Sequence, residues 1–504
     1  MLKGELSHSS PPSAVHSHNL LIFSDVHLGS DLIQFAQPDA PLYPEHSLRR
    51  DRELANLLRW YATHRRGGKC WRLVIAGDFV DFAGMSIEAD ENELRLSLSK
   101  EEVQNGLGSA EEHTLIKLRC VVEHHADVFR ALAEFLAAGN SLVVVRGNHD
   151  VDFHWESVKD EFRSQLHQFA DFSRDKIEFR PWFYYEKDRV YIEHGHQYDG
   201  WCSVDHVLNP VSPLDPRRSS RSVADIMLRY VVRPLGMSES GHDGAGPLHY
   251  IRFAKRLGLS GAWKLIVRFM LAVHRLLTVW RAHFSDATAK IRLEQERRMS
   301  LLGRRRRLGI NRLRRLERLQ VPPATRSVSH ILSCFFLERV VLGALGALLL
   351  LTFFVVFDQW HYQLIAGGGL CVVLVALAAA WNSSRVAIDP SDQLRRQTRA
   401  IGSLFPAAFV VMGHTHLPEL SDHDGITYVN LGAWAEEETV PDKIQQFPAT
   451  RTHFVLENVD GEPSGELLVW GAAGQPEPFG PRVDQESKDD FEASGGPAGL
   501  EVQA

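Results

Sequence analysis

The chain has 504 residues, with 56 basic and 63 acidic side chains and a formal net charge of -7, which excludes a uniformly basic nucleic-acid coat. Hydrophobic residues at 44% and charged residues at 24% match globular usage, so disorder through most of the length is excluded as well. Its five cysteines, Cys70, Cys120, Cys202, Cys334 and Cys371, stand far apart with no CxxC pair, so neither a disulfide framework nor a thiolate zinc knuckle is expected.

Residues 1–18 are rich in Ser, Pro and His, lack the basic start and apolar core of a signal peptide, and are expected to form a disordered tail. Strand-like apolar runs then recur at Leu20 to Ser24, Arg72 to Ala76, Ser141 to Arg146 and Val190 to Glu193. Between them, Leu48 to His64 and His113 to Ala138 carry helical periodicity; in the second, Leu115, Leu118, Val122, Val128, Leu132, Phe135 and Leu136 fall on about one face. This is an α/β alternation, which delivers loop residues to one edge of a sheet, and it makes 19–200 the first part of a folded domain.

A helical insert is expected over 201–400. Within it, Ile251 to Phe284 mixes Lys255, Arg256, Lys264, Arg268, Arg275 and Arg281 with large apolar residues, which suits either a basic helix resting on anionic headgroups or a cap packed on the core. Lys290 to Arg318 holds 12 basic and 3 acidic residues, so this run (290–318) carries +9 and the remainder of the chain -16. That acidic remainder would repel a polyanion, so nucleic acid is not an expected partner, and the run reads as a juxtamembrane attraction to lipid.

Val340 to Phe357 and Leu364 to Trp381 are two runs of 18 residues without an ionised side chain, separated by six residues. At 1.5 Å per residue, about 18–20 helical residues cross a bilayer core of roughly 30 Å, so a transmembrane hairpin (340–357 and 364–381) is expected. Trp360, Tyr362 and Trp381 suit the interfaces, and Gly343, Gly346, Ala347 and Gly367 to Gly369 suit close helix approach. A helical pair buried in a soluble core is the alternative reading. Arginines flank both outer ends, the run before the first helix and Arg385, Arg395, Arg396 and Arg399 after the second, which places the α/β domain in the cytoplasm and makes the protein a two-helix membrane protein. Strand-like runs resume at Ala408 to Met412, Ile426 to Leu431, Thr452 to Glu457 and Glu466 to Trp470, so 401–472 forms the second part of the domain, and 473–504 is expected to be a disordered acidic tail.

The strand ends read, in order, Asp25-Val-His27, Gly77-Asp78-Phe-Val-Asp81, Gly147-Asn148-His149-Asp150, His194-Gly-His196 and Gly413-His414-Thr-His416. Any one of these has an ordinary structural use as a cap, a turn or a surface histidine. Together, all at the ends of apolar runs, they supply the carboxylates and imidazoles that divalent Mn, Fe or Zn accept, and a pair of such ions about 3.5–4 Å apart needs one shared ligand. Gly77, Gly147 and Gly413 precede ligands and are read as tight turns where the backbone must leave a strand without a Cβ clash.

This series resembles the calcineurin-like metallophosphoesterases over about residues 19–200 and 407–470. The resemblance implies a two-sheet α/β metallophosphoesterase sandwich, here carrying a large helical insert with the hairpin. It implies that Asp25, His27 and His416 hold one ion, that Asn148, His194 and His414 hold the other, and that Asp78 bridges both. It gives His149 a catalytic place facing the phosphate, with Asp81 orienting it. Tyr428-Val-Asn430-Leu-Gly432 also looks like the family's short strand after the last motif. His196, Asp150 and Asp199 are open between support of the ligands, substrate contact and plain structural use.

The expected function is hydrolysis of a phosphate ester or pyrophosphate bond by a two-cation centre at the cytoplasmic face of a membrane. The expected substrate is a phosphorylated small molecule or a lipid-linked one, with membrane lipid a partner through the hairpin and the basic run. A soluble protein or nucleotide phosphatase with a buried hairpin, and a non-catalytic membrane anchor or scaffold that keeps the fold, are the two other readings.

Overall fold

The structure, a computed structural model, describes residues 18–89, 94–236, 247–335, 337–383, 389–435 and 450–480. Residues 1–17, Arg385 and the tail beyond 480 lie outside the described residues. Among the described residues the strands are β1 (His18–Phe23), β2 (Cys70–Ala76), β3 (Ser141–Val145), β4 (Ile177–Arg180), β5 (Phe183–Glu186), β6 (Val190–Glu193), β7 (Phe409–Met412), β8 (Glu419–His423), β9 (Ile426–Asn430), β10 (Thr452–Val459), β11 (Glu462–Trp470) and β12 (Pro476–Pro478). The helices of the first half are α1 (Glu45–Thr63), α2 (Lys100–Asn105), α3 (Glu111–His124), α4 (Ala126–Ala137) and α5 (Glu156–His167). The rest are α6 (Val223–Met227), α7 (Pro247–Ala282), α8 (Asp286–Arg305), α9 (Ile310–Leu319), α10 (Val328–Cys334), α11 (Leu337–Val356), α12 (Trp360–Ser383) and α13 (Ser391–Leu404).

The strands form a seven-stranded sheet, β12-β11-β10-β1-β2-β3-β4, and a five-stranded sheet, β5-β6-β7-β9-β8. Alternation along each strand sorts the core. In the first sheet Ile22 lies opposite Val74 and Val74 opposite Val143; in the second, Ile192 lies opposite Val411 and Val411 opposite Val429. These two rows meet between the sheets in one fully buried layer. The alternate residues of the first sheet, Leu73, Ile75, Leu142 and Val144, turn outward against Leu54, Leu58, Leu118, Leu132 and Phe162 of α1, α3, α4 and α5.

The outer face of the second sheet is covered by the insert. Tyr191, Val410, Met412 and Tyr428 pack against Met299 of α8, Leu313 and Leu316 of α9, and Leu394 and Ile401 of α13. The basic run is therefore a folded helical pair: its apolar positions dock on the sheet, while Arg304, Arg305, Arg307, Arg312 and Arg315 stand exposed. It is a layer of the sandwich as well as a concentration of charge.

Several expectations change. The helix expected over 113–138 is two helices, because His125, at φ -104° and ψ 36°, leaves the helical region to bury its ring, where Nε2 accepts from the Gly29 amide at 2.9 Å and Nδ1 donates to Asp51 Oδ2 at 2.6 Å. The first strand starts at His18, one residue inside the expected tail, where His18 Nε2 reaches Glu186 Oε1 at 2.9 Å. The C-terminal tail begins later than 473, since Pro476–Pro478 pairs with β11 as an edge strand, a position where proline's missing donor costs no ladder bond.

The hairpin helices α11 and α12 are each long and apolar enough to cross a membrane, and 11% and 0% of their most apolar windows are buried. Among the described residues, the pair is not packed into the core of the chain. The connection is shorter than six residues because Trp360 already begins α12. Of the glycines, Gly346 admits Leu374 of the facing helix, whereas Gly343, Gly368 and Gly369 have open space where a side chain would stand.

If α9 is a structural layer, Leu316→Ala should cost about 2–5 kcal/mol of stability, since it empties a fully buried position between helix and sheet. Denaturant melts of the detergent-solubilised chain measure it; a change within ±0.5 kcal/mol would mean that the helix does not dock there.

Candidate metal centre

In the first sheet β1, β2 and β3 run parallel, and in the second β6 and β7 do, so the residues following these strands emerge at the C-terminal ends of the two sheets. The loops are interlocked by their own backbone. Asp25 N–H donates to Gly77 O at 3.3 Å, Val26 and His27 N–H both donate to Asp78 O at 3.0 and 2.9 Å, and Gly413 N–H donates to His194 O at 3.0 Å. Carboxylates complete the lock: Asp25 Oδ2 accepts from His414 N–H at 3.1 Å and Asp78 Oδ1 from His149 N–H at 2.8 Å. Arg50 donates to the His27 carbonyl at 3.2 Å, and the Asn430 amide donates to Gly413 O at 3.0 Å.

Five of the expected ligands occupy left-handed backbone: φ is 53° at Asp25, 51° at His27, 52° at Asp78, 72° at His414 and 61° at His416. For side chains with a Cβ such conformations cost of order 1–3 kcal/mol each and persist where surrounding contacts over-determine them. The interlocking bonds above do so, and the result aims the five side chains into one volume.

Asp25, His27 and His416 offer ligand atoms within 4.8 Å of one another, as do Asp25, Asp78 and His194. His416 Nε2 is 3.3 Å from Asp25 Oδ1, and His27 Nε2 is 3.7 Å from Asp78 Oδ2. The same Asp78 oxygen is 3.1 Å from His194 Nε2, which is 3.0 Å from Asn148 Oδ1. One oxygen of Asp78 thus stands between the two groups. The His414 ring lies beside His194, with centroids 5.2 Å apart, and its Nε2 donates to Asp199 Oδ2 at 3.0 Å, so ligation by His414 would use Nδ1.

The donor set fits a divalent cation pair. Neither ring nitrogen of His27 nor Oδ1 of Asp25 makes a hydrogen bond, although all three are buried. Buried polar atoms left so cost about 1–3 kcal/mol each, and carboxylate oxygen with neutral imidazole is the chemistry that Mn, Fe or Zn accepts. Burial pushes the Asp25 carboxyl up, but the imidazoles of His194, His27 and His416 more than reverse this and hold it well below the usual range. Burial likewise opposes ionisation of Asp78, and His194, His149 and His27 overcome it.

His149 stands at the edge of this volume with 17% of its side chain exposed, and its ring meets His27 edge-on at 4.6 Å. Its Nδ1 donates to Asp81 Oδ1 at 2.6 Å, and the other Asp81 oxygen lies 3.7 Å from Arg233 of the insert. Burial works against a charged ring, yet Asp81 and Asp78 raise the His149 pKa well above the ordinary imidazole value. Asp150 clamps loops together: its oxygens accept from Gly147 N–H at 2.6 Å and Phe79 N–H at 3.0 Å. His196 is buried against His194, with Nε2 2.9 Å from the Gln197 amide nitrogen.

The three glycines are placed where a Cβ would clash, as expected from the sequence. Only Gly77 has positive φ, at 92°; at all three a Cβ would strike a neighbouring site residue, the His194 ring at Gly77, Asp78 at Gly147 and Asp25 at Gly413. Space for ligands is what these positions require.

Asp199, open to plain structural use in the sequence, is the partner of His414. Two further residues went unread in the sequence. Arg233 and Lys117 become visible only when the insert folds over the domain. Lys117 is buried and donates to Phe82 O at 2.9 Å, one residue from Asp81.

The model of the calcineurin-like phosphoesterase family matches residues 18–260, which runs past the expected boundary at 200 and into the insert. No curated protein matches the chain.

Burial, with the charges of Arg221 and Arg229, pushes the Lys117 ammonium down to about 7. From pH 7 to about 10.5 the unfolded chain therefore binds the extra proton, and stability rises with pH across that window. Lys117→Met should be more stable than the parent at pH 7.5, by an amount that shrinks toward zero near pH 10.5 in denaturant melts; a pH-independent difference would contradict the depressed ammonium.

Proposed function

The chain belongs to the calcineurin-like phosphoesterase superfamily, and from that premise we propose that it is a metal-dependent phosphoesterase hydrolysing a phosphate ester or pyrophosphate bond at the cytoplasmic face of a membrane. The observation that carries this reading is the convergence of Asp25, His27, Asp78, Asn148, His194, His414 and His416 from five loops onto one volume. Asp25, His27 and His416 would hold one divalent ion, Asn148, His194 and His414 the other, and Asp78 both. Bound there, ions of the Mn, Fe or Zn type supply charge against phosphoryl oxygens and lower the pKa of an attacking water from 15.7 toward about 7.

The chain's own chemistry centres on His149. Asp81 accepts a hydrogen bond from the Nδ1–H, which orients the ring and leaves Nε2 directed away from the carboxylate. A ring held charged by Asp81 and Asp78 presents an N–H to a phosphoryl oxygen or to the leaving oxygen, where negative charge grows in the transition state. Arg233 steadies Asp81 from the insert side, and Gly84 makes room, since a Cβ there would collide with both.

The membrane half of the reading is supported by α11 and α12, which expose apolar side chains along their length, and by the arginines at their outer flanks. Such an anchor favours a substrate at the same surface, either a phosphorylated small molecule or a lipid-linked one.

Membrane-reconstituted protein assayed with p-nitrophenyl phosphate and its bis-ester in the presence of Mn²⁺ tests the chemistry. Asp78→Ala and Asn148→Ala should fall to background, and His149→Ala should lose on the order of 10²–10⁴ in kcat. All three should remain in the membrane fraction after carbonate washing. A parent protein inactive on both esters with every divalent ion tried would favour the non-catalytic scaffold.

A further inference from the structure

Beyond the kink at Gly258 (φ 68°), helix α7 presents three different faces. Leu265, Ala272 and Leu276 are buried against Val223, Ile226 and Val231 on one side and Ile331 and Cys334 of α10 on the other, and Phe269 meets the Phe335 ring at 5.3 Å. At 3.6 residues per turn the opposite face carries Trp263, Ile266, Val267, Met270 and Leu271, which are 66%, 52%, 40%, 57% and 42% exposed. The flank between them carries Lys264, Arg268 and Arg275.

A soluble helix has one apolar face; a second, outward one needs an occupant. The fold says what it is. α7 packs on α10, and α10 leads into α11 across two residues, so the helix that carries the exposed stripe is joined through α10 to the apolar hairpin. The cationic flank beside the stripe matches the negative headgroups of a cytoplasmic leaflet.

Building on the membrane reading, we propose that α7 lies in the plane of the bilayer surface, with Trp263, Ile266, Val267 and Met270 bedded at the boundary of headgroups and acyl chains of an anionic membrane. Its cationic flank then becomes a wall shared between bilayer and catalytic domain. Arg268 bonds Asn105 Oδ1 at 3.2 Å and lines a cavity with Arg229 and Arg233, the residue beside Asp81. Arg275 lines an adjoining cavity with Lys117 and Arg221. The anionic headgroup of a lipid is the ligand this arrangement suits.

The test uses the full chain in vesicles of phosphatidylcholine with about one-third phosphatidylglycerol, a composition that supplies the anionic surface. With Cys70, Cys120 and Cys371 replaced by serine, an environment-sensitive fluorophore is placed at Met270→Cys, at Val373→Cys in the hairpin, or at Leu420→Cys on β8. The proposal expects Met270→Cys to be blue-shifted and quenched by spin-labelled lipid, between the deep Val373→Cys and the aqueous Leu420→Cys, independent of protein-to-lipid ratio. Iodide quenching at Met270→Cys equal to that at Leu420→Cys, with Val373→Cys in lipid, overturns the proposal while the anchored reading stands. A signal that appears only at high protein-to-lipid ratio assigns the stripe to a second copy and overturns it too. An aqueous Val373→Cys would overturn the anchored reading and this inference together.

Discussion

Buried carboxylates and imidazoles crowded at the joint end of two sheets are the constraint on which the rest depends. Asp25 and Asp78 are both withdrawn from water, and His27, His194, His414 and His416 surround them. Burial opposes the charge on these carboxylates, and the imidazoles around them offset that cost. The same donor set is the chemistry that would accept divalent cations. The left-handed backbone at five of these residues, and the glycines that leave no room for a Cβ, are costs the chain accepts to bring the donors to one place.

The insert is structurally inseparable from this centre. Helices α8, α9 and α13 form the outer layer of the second sheet, and without them Val410, Met412 and Tyr428 would face water. The segment around α6 reaches the site itself through Arg233. The same insert carries α11 and α12, so a chain of packed elements joins the apolar hairpin to the residue that orients His149. The apolar hairpin and the candidate metal centre are therefore joined through packed elements of the insert.

Much of the site was legible in the sequence because each donor follows directly on an apolar strand run, so order along the chain carried geometry. Sheet topology converts that order into proximity. Short or half-polar strands were not legible: β8 reads Glu-Leu-Ser-Asp-His, and β12 is bracketed by prolines. Helical periodicity runs unbroken through His125, whose departure from the helix serves a buried hydrogen bond to a distant loop. The run over α8 and α9 was read for its charge, and neither its apolar face nor the sheet that receives it stood out beside twelve basic residues. Asp199 and Arg233 act through tertiary contacts with His414 and Asp81, which no local pattern records.

The most direct measurement is metal content by plasma mass spectrometry on the purified chain, after stripping with chelator and reloading with Mn²⁺ or Zn²⁺. Two transition-metal equivalents per chain are expected, lost when Asp78 is replaced by alanine. A parent chain that retains and takes up none, while remaining folded, would contradict the two-cation centre.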